Sequence, residues 1–261
     1  MLRTCRVLLT LGCFIAAGMM TSRAQAQTFG IELHNNLMPA SGGMAGASVS
    51  RPQDLQSAIN GNPATLRQFQ GTQFSFGGAW ADADYRVTQA TPLPFLGVTP
   101  FSDTSDTPGA LLGNIGLTQD VDMLGLPATL GLGLMSNAGA GVDFRDVAAS
   151  NGTSAQYLAL DMVAAAGMDL SERLSLGVSF ALGTSYLDGP FVDLGGMTPA
   201  YGVRGTVGAN YLLQPDTTLG VYWQSKKNFT FENAALVAGG IPVDIHPDHP
   251  MNVGFGLANS S

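Results

Sequence analysis

Few residues of this chain combine the types and spacing that catalysis or metal binding would need. His246-Pro247-Asp248-His249 places two imidazoles three positions apart with a carboxylate between them. A zinc-type site needs further ligands, and none lies nearby, so the sequence favours a surface loop there. His34 stands alone. Serines are plentiful, but no Gly-x-Ser-x-Gly elbow is present, so no nucleophile with a matching base emerges. The small-residue run Met38 to Ala47 includes Gly42, Gly43 and Gly46, yet no Gly-Lys-Ser/Thr step follows that would cradle a phosphate. Asn151-Gly152-Thr153 matches a glycosylation acceptor and marks only a surface loop. Asp161 and Arg204 are the charges of interest, because both fall on the polar face of a strand. Either could meet a carboxylate solute or hold an inner segment. The favoured alternative is a structural lumen ion pair or a solvated charge. The expectation is a protein that is not an enzyme and uses no cofactor and no metal.

The elements that would position such residues begin with the leader. Arg3 and Arg6 precede the apolar run Val7 to Met20, and Ala24-Gln25-Ala26 supplies the small residues of a cleavage site. This pattern predicts a secretory signal peptide over residues 1–26. A lipoprotein anchored at Cys13 is the rival reading. Cys5 and Cys13 are the two cysteines and both lie in this segment, so disulfides and thiolate chemistry are excluded from the exported chain. The segment also carries Arg3, Arg6 and Arg23 but no acid, leaving the remainder more acidic than the net charge of −8 of the whole chain. That balance argues against a nucleic-acid partner, which requires a basic footprint.

Only 11% of the residues are charged, against about 25% in ordinary soluble domains. No stretch after the leader reaches the roughly 18 consecutive apolar residues of a spanning helix. Strands closed into a barrel are the other way to satisfy every backbone group in a bilayer. The alternation fits this. Leu174, Leu176, Val178, Phe180 and Leu182 share one face, and Ser175, Gly177, Ser179, Ala181 and Gly183 the other. Leu158, Leu160 and Met162 repeat the pattern, as do Phe74, Phe76 and Trp80. The sequence predicts strands near 72–82, 111–121, 127–137, 154–170, 172–186, 200–213, 216–228 and 250–258. Short links alternate with long ones rich in Pro, Gly and Asp, the habit of outer-membrane barrels. Trp80, Tyr157, Tyr186, Tyr201 and Tyr222-Trp223 fall near strand ends, where an aromatic girdle is expected. The strand begun at Met251 stops at Asn259-Ser260-Ser261, which points to a fragment or truncated gene product.

Residues 28–70 do not have the strand pattern. The run from Met38 to Ala47 is small and flexible in character, Gln53 to Ile59 has room for a helical turn or two, and Asn60 to Leu66 is a turn. Such a segment either hangs in the periplasm or folds back to plug the lumen. Phe29-Gly30, the step Gly43-Met44-Ala45-Gly46-Ala47, and Ser57-Ala58 followed by Asn62-Pro63-Ala64-Thr65-Leu66 resemble the FadL/TodX outer-membrane transport family. Gly208-Ala209-Asn210-Tyr211, Thr218 to Ser225 and Pro250 to Gly256 continue the resemblance. It implies an all-β, fourteen-stranded antiparallel transmembrane barrel of which about eight strands are present. It also implies an N-terminal plug, with solutes leaving sideways through a gap in the wall. The expected organisation is a signal peptide over 1–26, a plug over 27–70 and a partial barrel over 71–261. The plug motif is Gly43, Gly46, Asn62, Pro63 and Ala64. The expected partners are a hydrophobic small molecule (a long-chain fatty acid or aromatic hydrocarbon) and outer-membrane lipid, with a monomeric barrel at full length. A general porin, a structural barrel, a non-functional fragment and a soluble β-sandwich are the competing readings.

Overall fold

A computed structural model describes residues 32–94, 97–188, 198–237 and 241–260. The segment expected to be a signal peptide, both cysteines and Phe29-Gly30 lie outside the described residues. The strands, in chain order, are β1 (Gln73–Ala81), β2 (Arg86–Gln89), β3 (Phe101–Thr104), β4 (Ala110–Met123), β5 (Leu126–Asp143), β6 (Ser154–Asp169), β7 (Leu174–Asp188), β8 (Thr198–Gln214), β9 (Thr217–Gln224), β10 (Lys227–Asn228), β11 (Phe231–Val237), β12 (Ile241–Ile245), β13 (Asp248–His249) and β14 (Asn252–Asn259). Eight of them form one curled antiparallel sheet in the order β1-β4-β5-β6-β7-β8-β9-β14. These eight are the strands expected from alternation.

The alternation decides which way each side chain points. Phe74, Phe76, Leu111, Phe180, Val203 and Phe255 are more than half exposed on the convex face. A continuous apolar surface of this extent is what a lipid-facing wall presents, and water-facing monomers rarely carry one. Their neighbours on the concave face, among them Asn114, Thr129, Asp161 and Arg204, are buried. Short links sit at one end. Leu124 and Gly125 both have positive φ, as a two-residue hairpin turn requires, and the Gly125 amide donates to Asp122 Oδ1 at 2.8 Å. Long links sit at the other end, and two of them carry strands among the described residues. Residues 82–109 contain the β2–β3 hairpin, and residues 225–251 contain the pairs β11–β12 and β10–β13.

The concave face is covered by the N-terminal segment. Met38, Leu55, Ile59 and Leu66 form one apolar cluster with Met135, Val163, Ala165 and Ala181 of the wall. The run expected to be flexible is helical over Pro39–Gly43. The reason is local. Pro39 presets the first turn, and Asp54 Oδ2 accepts from the Ala40 and Ser41 amides at 2.8 and 2.9 Å. Through Oδ1 the same carboxylate caps the helix Leu55–Asn60, accepting from the Ser57 amide at 2.8 Å.

Candidate functional site

Three features occupy the concave side: a docked motif, a buried ionic network and an opening in the wall. The motif comes first in the chain. Asn62 is fully buried. Its Nδ2 donates to the carbonyls of Val49 at 2.8 Å and Ala209 of β8 at 3.2 Å, and its Oδ1 accepts from the Ala64 amide. A 3-10 turn over Pro63–Gln68 follows and rests on β6, β7 and β8. The wall has glycine beneath it. A Cβ on Gly177 would lie 2.3 Å from the Ala64 nitrogen, and one on Gly208 would lie 2.0 Å from Asn62 Oδ1. The motif therefore docks against the middle of the sheet, and the chain turns into β1 only at Gly71, whose φ is +81°. The turn expected over Asn60 to Leu66 is thus a docking point. Gly46 adopts φ +80° beside Asn36, whereas Gly43 ends its helix with open space around it.

Asp161 and Arg204 both lie on the concave face, but each has another partner. Lys227 Nζ sits 2.6 Å from both carboxylate oxygens of Asp161, and neither side chain is more than 2% exposed. Arg204 Nη1 donates to Glu32 Oε1 at 2.5 Å, each side chain 3% exposed. Arg204 also donates to the carbonyls of Ser225 and Pro250, the two ends of the long excursion between β9 and β14. One guanidinium thus ties the N-terminal segment, the wall and that excursion together. Burial alone raises the Glu32 carboxyl. The imidazole of His249 and the charge and hydrogen bond of Arg204 outweigh it and hold Glu32 well below the usual carboxylate range. Asparagines extend the network: Asn60 Nδ2 donates to Asn35 Oδ1 and to Asn137 Oδ1, both at 3.0 Å, and Asn137 Nδ2 donates to Asp161 Oδ2 at 2.6 Å.

Asn137 is also where the wall parts. The β4–β5 ladder ends at Ile115 and Leu134. β5 then shifts register between Ser136 and Ala138 and continues on β6 alone. Glu32 pairs with Ala138 in an isolated bridge, and the Leu33 amide donates to the Asn137 carbonyl at 3.0 Å, so the N-terminal segment takes up part of the edge that β4 vacates. Polar contacts bound the opening at both ends. Below, Ser136 N donates to Asn114 Oδ1 and Ser136 Oγ to the Gly113 carbonyl. Above, Asp143 N donates to Ser105 Oγ, and Asp106 N to the Asp143 carbonyl. Between them lies a cavity of about 320 Å³, lined by Tyr85, Leu112, Gly139, Ala140, Tyr157 and Leu158 among others. Tyr157 belongs to the concave face and Leu158 to the convex one, so the cavity draws its lining from both sides of the wall.

The sequence has no matching family model and no match among curated proteins. Solved structures match. The P. putida toluene transporter TodX aligns at 18% identity with a TM-score of 0.61, over 85% of this chain and 66% of that one. A second TodX structure aligns at 19% and 0.59, over 90% and 67%. A monoaromatic hydrocarbon channel, CymD, aligns at 15% and 0.56, over 85% and 64%. The fold is that of these outer-membrane barrels. The chain spans about two thirds of the length of TodX and CymD.

Several residues of this site carried no usable sequence signal, and some expectations are corrected. His249 is buried, its Nε2 2.9 Å from the Tyr157 hydroxyl, whereas His246 is exposed. The surface-loop expectation holds for His246 and Asp248, which are exposed, and fails for His249, beside which the chain turns inward: Phe229 and Phe231 are fully buried against Ala138, Tyr157, Ala159 and Ala200. Tyr157 and Tyr222 are not girdle residues. Tyr157 is buried, and Tyr222 stacks on His34, whose Nε2 lies 2.9 Å from Gln224 Oε1. His34 is therefore not isolated. Trp80, Tyr201 and Trp223 do lie exposed on the convex face. The one legible sign of the opening was Ser136-Asn137, two adjacent polar residues that interrupt the alternation of β5.

Proposed function

We propose that this protein belongs to the FadL/TodX family and passively carries a hydrophobic, uncharged small molecule across the outer membrane. In this reading, residues 1–26 are removed on export and residues 27–70 plug the barrel. The solute leaves sideways between β4 and β5 into the membrane. The observation that carries the reading is the apolar opening where the β4–β5 ladder stops. An unpaired strand edge at membrane depth is costly unless it is covered or lines a cavity, so a built gap with polar bonds at both ends fits a lateral route. The buried charges support a neutral solute. Among the described residues, Arg204 and Lys227 are the cations buried on the concave face, and each already holds a carboxylate. A fatty-acid carboxylate would have to displace one of them. A general porin would instead be expected to line an open lumen with solvated charges.

The test is uptake in a porin-deficient host expressing the protein. Labelled toluene should enter faster than in vector controls, while labelled sucrose should not. Sucrose flux without hydrocarbon flux would establish a general porin, and fatty-acid uptake equal to toluene uptake would overturn the neutral-solute reading.

A further inference from the structure

Gly139 is one position in the lining of the wall opening that has no side chain. Gly139 of β5 faces Leu158 across the β5–β6 ladder. A Cβ built on Gly139 would lie 3.7 Å from Leu112 Cδ2 and 3.8 Å from Leu158 Cδ1. Leu112 belongs to β4, on the far side of the gap. The two leucines thus approach each other over the position where residue 139 lacks a side chain. Nothing in the fold demands glycine here. Its φ is one that any residue adopts, and an added methyl would make ordinary van der Waals contact. The docking glycines differ, since Gly177 and Gly208 would collide at 2.3 and 2.0 Å. A glycine in a strand interior weakens the strand and often marks a bulge or a place where a ligand or another backbone approaches closely. The register shift of β5 ends at Ala138, one residue before Gly139, and the cavity lies beside Gly139 itself.

We propose that Gly139, with Leu112 and Leu158 on either side, is the specificity-determining constriction of the opening. It admits a flat, single-ring hydrocarbon edgewise and rejects solutes of larger cross-section. The inference rests on the lateral-route reading above and adds to it the residue that sets the size limit. The cavity volume of about 320 Å³ agrees, lying at the lower end of the roughly 300–1,000 Å³ usual for small-molecule sites. The aliphatic lining of the constriction offers a solute dispersion contacts but no charge.

The experiment measures uptake of labelled toluene and labelled phenanthrene, three fused rings, by cells expressing the wild type, Gly139→Ala, Gly139→Val and Leu112→Ala. Each variant is first checked for native heat-modifiable migration. Wild type should take up toluene at least tenfold faster than phenanthrene relative to vector controls. Gly139→Ala, which fits without strain, should lower toluene uptake about threefold, and Gly139→Val at least tenfold. Leu112→Ala should raise the ratio of phenanthrene to toluene uptake at least threefold. Wild-type uptake of neither hydrocarbon would overturn the transport reading and the constriction with it. Toluene uptake that is the same in all four proteins would leave the transport reading standing and overturn the constriction alone.

Discussion

At the scale of single residues, the concave face is governed by buried ions that cannot be separated cheaply. Lys227 has no exposed side-chain surface, and Asp161 is its partner. Removing one member of a buried pair strands the other, at a cost of about 3–5 kcal/mol. Asp161→Asn should therefore lower the unfolding free energy measured in urea by that amount, whereas Asp161→Leu combined with Lys227→Met should recover most of it. Equal loss in the single and double variants would mean that packing, not charge, is at stake. Glu32 adds a pH dependence. Its folded carboxyl is held below its ordinary range, so it contributes stability that is present above the unfolded value of about 4.3 and is lost as pH falls towards the folded one. Wild type should exceed Glu32→Gln in stability by a constant margin near neutrality, and the margin should shrink below about pH 4. A margin that does not change between pH 7 and pH 3 would remove Glu32 as the source.

At the scale of elements, glycines in the wall and helices in the N-terminal segment fit each other. Gly177 lets the backbone of Pro63 and Ala64 approach β7, at a distance that a Cβ would close to 2.3 Å. Gly177→Val should expel the motif while leaving the lipid-facing side chains of β7 in place. With Ala64→Cys as reporter, a membrane-impermeant maleimide should label the double variant quickly and the Ala64→Cys protein slowly, since Ala64 is buried. Equal labelling rates would mean that the motif docks without the glycine. On the opposite face of the same strand, Phe180 is half exposed to the proposed lipid. Phe180→Arg should cost about 2–4 kcal/mol of folding stability in vesicles, the range for a cation near the bilayer midplane. Phe180→Leu, which keeps the face apolar, should cost far less. A similar cost for both would place this face out of contact with lipid.

At the scale of the whole molecule, the curled sheet, the N-terminal segment and the inward excursion 225–251 meet at Arg204. If the segment blocks the lumen, deleting residues 32–70 should raise single-channel conductance in planar bilayers and weaken discrimination between toluene and sucrose. An assembled deletion variant with unchanged conductance would assign the segment another role. The excursion should behave as a second closure, because Phe229 and Phe231 pack on Ala138, Tyr157, Ala159 and Ala200 of the wall. The three parts are linked through side chains far apart in sequence, so disturbance at any one should be felt at the β4–β5 opening through Asn60 and Asn137.

Strand positions, their two faces and the alternation of short and long links were all present in the sequence, because period-two patterning is a local property written by solvent and lipid on each strand separately. The inward placement of Asp161 and Arg204 followed from the same parity. Their partners did not. Glu32, Lys227 and His249 lie 172, 66 and 92 positions from Arg204, Asp161 and Tyr157 respectively, and no local pattern encodes a pairing over such distances. The inward fold of 225–251 was equally hidden. Pro, Gly and Asp mark a loop but not the side of the wall on which it lies, and only the apolar space beside Ala138 and Ala159 decides that Phe229 and Phe231 turn inward. The opening between β4 and β5 is the clearest case. Ser136-Asn137 disturbs the alternation locally, yet whether a disturbed strand bulges, slips or parts from its neighbour depends on what takes up the freed edge. Here the backbone of Glu32 and Leu33 takes up part of it, which only the tertiary structure could bring within reach.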